Sequence, residues 1–512
     1  MKIIKFLFSR MFIVIFLILL QIAILAYIIT ALSKYWIYGY AFFVVLSLIV
    51  VLWVINTNNN PSYKLAWCVP ILVFPLFGGL FYVFFGNHNF YRRYLRKHDA
   101  IIKRFNAQLE QNQEQWEMLR DEDSNVVKQA HYIRQYGGYP VHQDTTVDYF
   151  PSGETFFADL LEALNRAEHY IFLEYFILRE GKMWSAVLEI LQQKVQSGLD
   201  VRVIYDDVGC LNTLPYNYHK KLEKMGIHTE VFNPMLPLVR MEMNNRDHRK
   251  IVVIDGYVAY TGGINLSDEY INQYLRYGHW KDSAIRLQGS GVWNMTMMFL
   301  QTWNILRPDE RDADLEKYRP ERHHPQSFDG DGWVQPFGDS PLDAEMVSEQ
   351  IYLNLINNAR QYVYIMTPYL IIDQEMIIAL SLAAKSGIDV RIITPHIPDK
   401  WYVHLMSRAF YGVLLKAGVK IYEYTPGFVH AKSFVVDDEL AVVGTANLDF
   451  RSLYLHYECG VWLYRNRAIM HIKNDYMATL ADCQEVDLDH SLNRRWWQRI
   501  IASILMLFAP LM

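Results

Sequence analysis

Cysteine, an excess of one charge, and charge of either sign near the amino terminus are what this sequence has least of, and each shortage excludes something. Four cysteines (Cys68, Cys210, Cys459 and Cys483) are scattered through 512 residues without CxxC spacing. Neither a zinc site nor a disulfide framework is signalled, and a reducing compartment is the simpler setting. The formal net charge is only −5, so no global basic field exists to hold nucleic acid, which is not an expected partner. Charge is missing altogether from 11–32, a run of 22 residues, and again from 36–55. Either run, at about 1.5 Å per residue, can cross a hydrocarbon core of about 30 Å. With only Ser33, Lys34 and Tyr35 between them, they are expected to form an N-terminal transmembrane helical hairpin.

A third apolar segment, 65–85, is interrupted by Pro70, Pro75 and Gly78-Gly79, which makes it a weaker helix and a re-entrant or interfacial candidate. Lys2, Lys5 and Arg10 precede the first span, and Arg92, Arg93, Arg96 and Lys97 follow the third run. Both flanks favour the cytoplasmic side, which requires an even number of crossings. Residues 1–90 therefore read as a multi-pass anchor in the cell membrane, with the rest of the chain on the cytoplasmic side. Residues 91–140 are charged and helix-favouring without a broad apolar face, as in a juxtamembrane connector. Residues 491–512 join Arg494-Arg495-Trp496-Trp497 to an apolar tail, either an interfacial anchor or a buried terminal helix.

Between these ends the chain repeats itself. Ala167-Glu-His-Tyr-Ile-Phe-Leu reads like Ala359-Arg-Gln-Tyr-Val-Tyr-Ile, and Ser197-Gly-Leu-Asp-Val-Arg-Val-Ile like Ser386-Gly-Ile-Asp-Val-Arg-Ile-Ile. Strand and helix signals alternate in both, so the fold class is α/β: two similar domains, 141–322 and 323–490. Each contains His-x-Lys, four residues, Asp, six residues, and Gly-x-x-Asn. These are His248, Lys250, Asp255 and Asn265 in the first, and His430, Lys432, Asp437 and Asn447 in the second, offset by 182 throughout. Two such copies at equal spacing are not plausibly chance.

Histidine and lysine two apart on a strand share one face. If the halves meet about a pseudo-two-fold axis, two imidazoles and two ammonium groups converge, flanked by Asn265 and Asn447. A phosphodiester is anionic and weakly electrophilic. It needs cations and donors on its non-bridging oxygens, for which Lys250, Lys432, Asn265 and Asn447 are the candidates. One histidine must be neutral to attack phosphorus and the other protonated to expel an alkoxide. No metal or cofactor is then required.

This duplicated pattern resembles the HKD motif of the phospholipase D superfamily over about 145–490. The resemblance implies mixed sheets flanked by helices, with His248, Lys250, Asp255, His430, Lys432 and Asp437 as catalytic residues and either histidine as nucleophile, more often the first-repeat one. It also implies a carboxylate that orients each histidine through its other ring nitrogen. Glu458, 28 residues after His430, fits this role, and Asp282, 34 after His248, fits it more loosely, with a plain surface charge as the alternative. Glu174 and Tyr369 occupy matching strand ends and are mouth candidates, with core packing the other reading for Tyr369. The superfamily's Gly-Ser-x-Asn is Gly262-Gly263-Ile-Asn265 here, which costs one phosphate contact. The anchor, the repeats and the Trp-rich tail together resemble bacterial cardiolipin synthases. That implies phosphatidylglycerol and membrane lipids as partners, and transfer of a phosphatidyl group between two phosphatidylglycerols, with lipid hydrolysis, other head-group exchange or a non-catalytic lipid scaffold as alternatives. Acceptor specificity, assigned to loops such as 209–237, and oligomeric state stay open.

Overall fold

The computed structural model describes residues 36–57, 60–75, 98, 100–235, 245–308, 312, 314–324, 328–342, 345–489 and 496–509, with isolated positions 19, 23, 27, 78, 79 and 82. The chain divides into two compact units. One comprises Met1–Arg96, Asn233–Asn245 and Met506–Met512, and the other Lys97–Phe232 and Arg246–Leu505.

In the first unit, helix Trp36–Ile55 is apolar on every side. Asn60, whose side chain accepts from the Ser62 amide, starts a second helix, Pro61–Val73. The two pack through Val50, Val51, Val54, Trp67 and Ile71, joined by Tyr82, and Ser47 donates to the Pro75 carbonyl at 2.9 Å. Phe42, Val45, Ile49 and Leu52 face outward. Tyr38–Ile55 is, among the described residues, the one helix long and apolar enough to span a bilayer. The expected partner span, 11–32, lies outside the described residues except for helical positions 19, 23 and 27. The helical pair that is described joins 36–55 to 61–73 instead.

The second unit holds both repeats. The first contributes β1 (Thr145–Phe150), β2 (Tyr170–Tyr175), β3 (Asp200–Asp206), β4 (His228–Phe232), β5 (Arg246–Asp247), β6 (Lys250–Ile254), β7 (Val258–Gly262), β8 (His279–Lys281) and β9 (Ala284–Gly289). The second contributes β10 (Trp333–Asp339), β11 (Tyr362–Met366), β12 (Leu370–Ile371), β13 (Asp389–Pro395), β14 (Lys420–Tyr424), β15 (Gly427–Val429), β16 (Ser433–Val436), β17 (Leu440–Gly444), β18 (Leu448–Asp449), β19 (His456–Tyr464) and β20 (Cys483–Glu485). The first sheet runs β1-β9-β7-β6-β2-β3-β4 and the second β10-β19-β17-β16-β11-β13-β14-β20. The same seven positions recur, and β20 adds an edge. Strands β2, β3 and β4 are parallel, as are β11, β13 and β14, and the motif strands β6 and β16 run antiparallel beside them. This mixed arrangement follows from βαβ crossovers feeding a β-hairpin.

The repeats share one core. Helix Val292–Leu306 brings Trp293, Phe299 and Trp303 into a cluster that takes in Phe172 and Ile251 of the first sheet and Val435, Val443 and Val461 of the second. Residues 100–137 also belong here, and are not only a connector: Ile101, Phe105 and Leu109 are buried in that core, and the Trp293 indole donates to the Gln108 carbonyl at 2.9 Å. Their four-residue spacing makes a stripe too narrow to stand out among the charges of that stretch.

Asp255 and Asp437, expected among the catalytic residues, stand at the far ends of β6 and β16, about 16 Å of strand beyond the lysines. Both are left-handed (φ 49° and 53°). The Asp255 carboxylate accepts the amides of Glu168, His169 and Tyr170, each at 2.8 Å. Asp437 does the same for Arg360, Gln361 and Tyr362 at 2.6–2.9 Å. Each fixes the entry of the neighbouring parallel strand and, through it, the register of the motif strand. Asp255→Ala is expected to lower stability by about 3 kcal/mol, because three amides, that of Tyr170 buried, lose a charged acceptor. Asp437→Ala, at a more exposed corner, should cost less. Thermal or chemical denaturation checks this, and unchanged midpoints in both variants would contradict the anchoring role.

Candidate active site

The histidines sit where the repeats exchange short strands. Strand β5 pairs with the start of β19, and β8 with β15. The His248 amide thereby bonds the Tyr457 carbonyl at 2.9 Å, and the His430 amide bonds the Lys281 carbonyl at 2.7 Å. The next residue along each partner strand is a carboxylate. His248 Nδ1 lies 2.9 and 3.0 Å from the two oxygens of Glu458, and His430 Nδ1 lies 2.7 Å from Asp282. The pairing is thus crossed: each carboxylate holds the histidine of the other repeat, not of its own as the spacing along the chain suggested. Asp282 is fully buried and is not a surface charge.

Both carboxylates are ionised. Burial pushes Glu458 up, but the His248 imidazole and its hydrogen bond, with His456 nearby, outweigh it and hold the carboxyl well below the usual range. Burial likewise opposes Asp282, and His430 and Lys432 pull it down. The histidines are neutral, since burial drives His248 well below the ordinary imidazole value and takes His430, with Lys432 beside it, to about 4. An ionised acceptor on Nδ1 places the proton there and leaves Nε2 with its lone pair.

Lys250 and Lys432 are both buried and bonded to the carbonyls of their own histidines. Burial lowers Lys250 to about 8 and Lys432 to about 7, against the pull of carboxylates from both repeats. Lys432 Nζ also lies 2.8 Å from His430 Nδ1. The two His-Lys pairs therefore form one electrostatic centre. The asparagines are buried beside it but committed. Asn265 accepts from the Ile177 amide and donates to the Tyr270 hydroxyl, and Asn447 donates to Asp449 at 3.0 Å. The Asn447 side-chain oxygen has no hydrogen-bond partner among the described residues.

Gly263, where the superfamily carries serine, is required by the carboxylate: a Cβ there would stand 2.0 Å from Asp282 Oδ1. Its counterpart Thr445 donates its hydroxyl to Glu458, so this position serves the carboxylate. Glu174 is not at a mouth. It is fully buried against Arg249, with burial raising it well above the ordinary value despite that arginine. Tyr369 is half-buried, with its hydroxyl on Asp399 at 2.6 Å and its ring near Phe428.

His456 went unnoticed in the sequence. It lies two residues before Glu458, on the same face of β19, with its ring centroid 5.4 Å from that of His248. Arg451 Nε donates to its Nε2 at 2.9 Å, which puts its proton on Nδ1, 3.7 Å from Glu458. Trp280, two residues before Asp282, stands in the equivalent place 5.3 Å from His430. The regular alternation of β8 and β19 was the signal that could have located both. His248, His456 and Glu458 have ligand atoms within 4.8 Å of one another. Arg451 already occupies one imidazole, and two buried lysines share the centre, so the set fits hydrogen bonding better than a cation.

A family model described as cardiolipin synthase, PLD-like domain, matches residues 160–276 and 352–479, and one described as phospholipase D-nuclease N-terminal matches 45–87. A cardiolipin synthase of Halalkalibacterium halodurans is 32% identical, covering 98% of this chain and 100% of its own length. The chain belongs to the cardiolipin synthase family of phospholipase D-like proteins. An uncharacterised Streptococcus mutans protein is 44% identical over 90% of this chain and 99% of its own. A solved phosphatidylserine synthase of Haemophilus influenzae, 13% identical, shares the fold over 75% of this chain and 98% of its own with a TM-score of 0.54. The N-terminal match and the apolar helix fit membrane association, as in this family.

Neutral buried histidines make stability pH-dependent with a definite sign. Their folded pKa values lie below the unfolded one, so the unfolded chain takes up protons first, and stability falls as pH drops below about 6.5. Between roughly pH 7.5 and 5.5 each should cost about 1 kcal/mol. His248→Gln and His430→Gln should each flatten the slope of melting temperature against pH over that range, and an unaltered slope would show the imidazoles are charged in the folded state.

Proposed function

We propose that this protein is a cardiolipin synthase that moves a phosphatidyl group from one phosphatidylglycerol to the glycerol hydroxyl of another, releasing glycerol, through a phosphohistidine. The observation that carries the reading is the pair of His-Lys dyads in one buried centre, each histidine held by the other repeat's carboxylate, in a chain that matches cardiolipin synthases along nearly its whole length.

The asymmetry around the histidines supports a division of labour. His248, with the buried His456 imidazole beside it and both Glu458 oxygens on Nδ1, is the nucleophile. Its Nε2 attacks phosphorus, and the bond from phosphorus to the glycerol oxygen breaks. His430 has Trp280, Tyr270 and Phe428 around its ring. These rings keep water away, so the substrate's anionic charge acts on His430 at low dielectric and favours its imidazolium, which gives its Nε2 proton to the departing glycerol alkoxide. His430 then takes the proton of the incoming hydroxyl as that oxygen bonds phosphorus and the phosphorus–nitrogen bond breaks.

The donor's phosphodiester brings an anion to the two lysines. It restores the charges of Lys250 and Lys432, which neutralise the non-bridging oxygens, and raises His430 toward its acidic state. Asn265 and Asn447 frame these groups, and the unengaged oxygen of Asn447 suits a substrate hydroxyl. We read 11–32 and 36–55 as the crossings. The charge flanking 1–90 then calls for an even count and a cytoplasmic active site.

Purified in detergent with head-group-labelled phosphatidylglycerol, the protein should form cardiolipin and labelled glycerol together. His248→Ala and His430→Ala should each lose roughly a thousandfold or more. A phosphorylated peptide containing His248 should accumulate when His430→Ala is mixed with a donor bearing a good leaving group. Phosphatidic acid without cardiolipin would indicate a hydrolase, and label on His430 would reverse the assignment.

A further inference from the structure

We propose that the rim formed by Tyr274–Leu275 of the first repeat and Lys400–Trp401 of the second is a bilayer-docking surface, set around the approach to His430. The proposal rests on the phosphatidyl-transfer reading only in taking lipid as the substrate. Tyr274, Leu275 and Trp401 are 53%, 65% and 66% exposed. These side chains stand on the 272–277 loop of the first repeat and at the start of helix Trp401–Lys416 of the second, and exposed large apolar groups brought together as one patch mark an interaction site.

The two loops adjoin. A Cβ on Gly278 would stand 3.2 Å from Ile397 Cδ1 and 2.4 Å from the Pro426 carbonyl. The His279 amide bonds that same carbonyl, and the Ile397 amide bonds that of Gly427.

From the rim cations inward the contacts are aromatic. Arg276 lies over Tyr277 at 5.0 Å, and Lys400 over Tyr369 at 5.8 Å. Tyr277 and Tyr369 each sit 6.3 Å from Phe428, which is 6.0 Å from His430. Asp399 is turned inward onto the Tyr369 hydroxyl. The outer layer therefore joins apolar side chains to the cations Arg276 and Lys400. This is the composition that settles at an anionic lipid headgroup boundary, with aromatic and aliphatic groups at the acyl edge and cations at the phosphates. The occupant to which this surface commits is accordingly the surface of a bilayer containing anionic phospholipid, and the aromatic layer beneath it links that surface to His430.

The test uses the full chain in vesicles of phosphatidylcholine and phosphatidylglycerol. Leu275→Ser combined with Trp401→Ser should lower transfer on vesicle phosphatidylglycerol roughly tenfold, the loss expected on removing apolar anchors. Transfer between short-chain phosphatidylglycerol molecules dispersed as monomers should stay within about twofold of wild type, because no rim residue touches the reacting atoms. Independently of activity, brominated phosphatidylcholine in the vesicles should quench a fluorescence component present in wild type and missing from Trp401→Phe. An equal loss on both substrates, unchanged vesicle activity, or an unquenched Trp401 component would each overturn the proposal. Wild type that makes no cardiolipin in either assay would instead refute the transfer reading, and the quenching result would still decide docking.

Discussion

Two hydrogen bonds that cross between the repeats, His248 to Glu458 and His430 to Asp282, constrain almost everything else in the catalytic unit. A buried carboxylate is tolerated only when paired, and removing one partner of such a pair typically costs about 3–5 kcal/mol. Each repeat brings a histidine that it cannot orient and a carboxylate that it cannot neutralise, so neither half is a sensible protein alone. The exchanged strands β5 and β8 supply the backbone register that makes the crossing reproducible. Helix Val292–Leu306 fills the space between the sheets with Trp293, Phe299 and Trp303. The continuous core follows from the chemistry, because a loose interface could not hold two Nδ1 contacts to hydrogen-bonding distance.

The centre is built for an anion that is not part of the protein. Lys250 and Lys432 are buried deeply enough for their charges to be disfavoured, and the neighbouring carboxylates are already committed to histidines. Such an arrangement is costly when empty and becomes favourable when a phosphodiester enters. Binding energy is thereby directed to the group that reacts. The same burial excludes water, the competitor that would turn transfer into hydrolysis.

Much of this was legible in the sequence, for reasons particular to each part. His248, Lys250, His430 and Lys432 could be placed together because strand alternation and identical spacing are local properties. The helix at 36–55 was visible because it lacks charge entirely. Partners distant in sequence were not legible: nothing in the interval between His430 and Glu458 says that Glu458 serves the histidine 210 residues before it. Asp255 and Asp437 misled because a motif records co-occurrence, whereas their carboxylates act on backbone amides at the far end of the strand. Ile101, Phe105 and Leu109 were missed because a narrow stripe among charges becomes core only when a groove exists to receive it.

The places where the repeats have diverged are informative because the histidines and lysines between them have been kept. His456 stands where the other repeat has Trp280, and Thr445 where it has Gly263. All four positions adjoin a histidine or its carboxylate and none is a motif letter. If both histidines did the same work, there would be no physical reason for one to face an imidazole and the other an indole. Nor would one carboxylate need a hydroxyl donor and the other a glycine that lets it come closer. Double displacement at phosphorus needs one imidazole that stays neutral long enough to attack and one that holds a proton long enough to deliver it. Two identical environments would titrate together and could not keep those states apart. Duplication supplied the symmetric frame, and these two substitutions, Trp280 to His456 and Gly263 to Thr445, are where the surroundings of the two histidines differ, as the proposed division into nucleophile and acid requires.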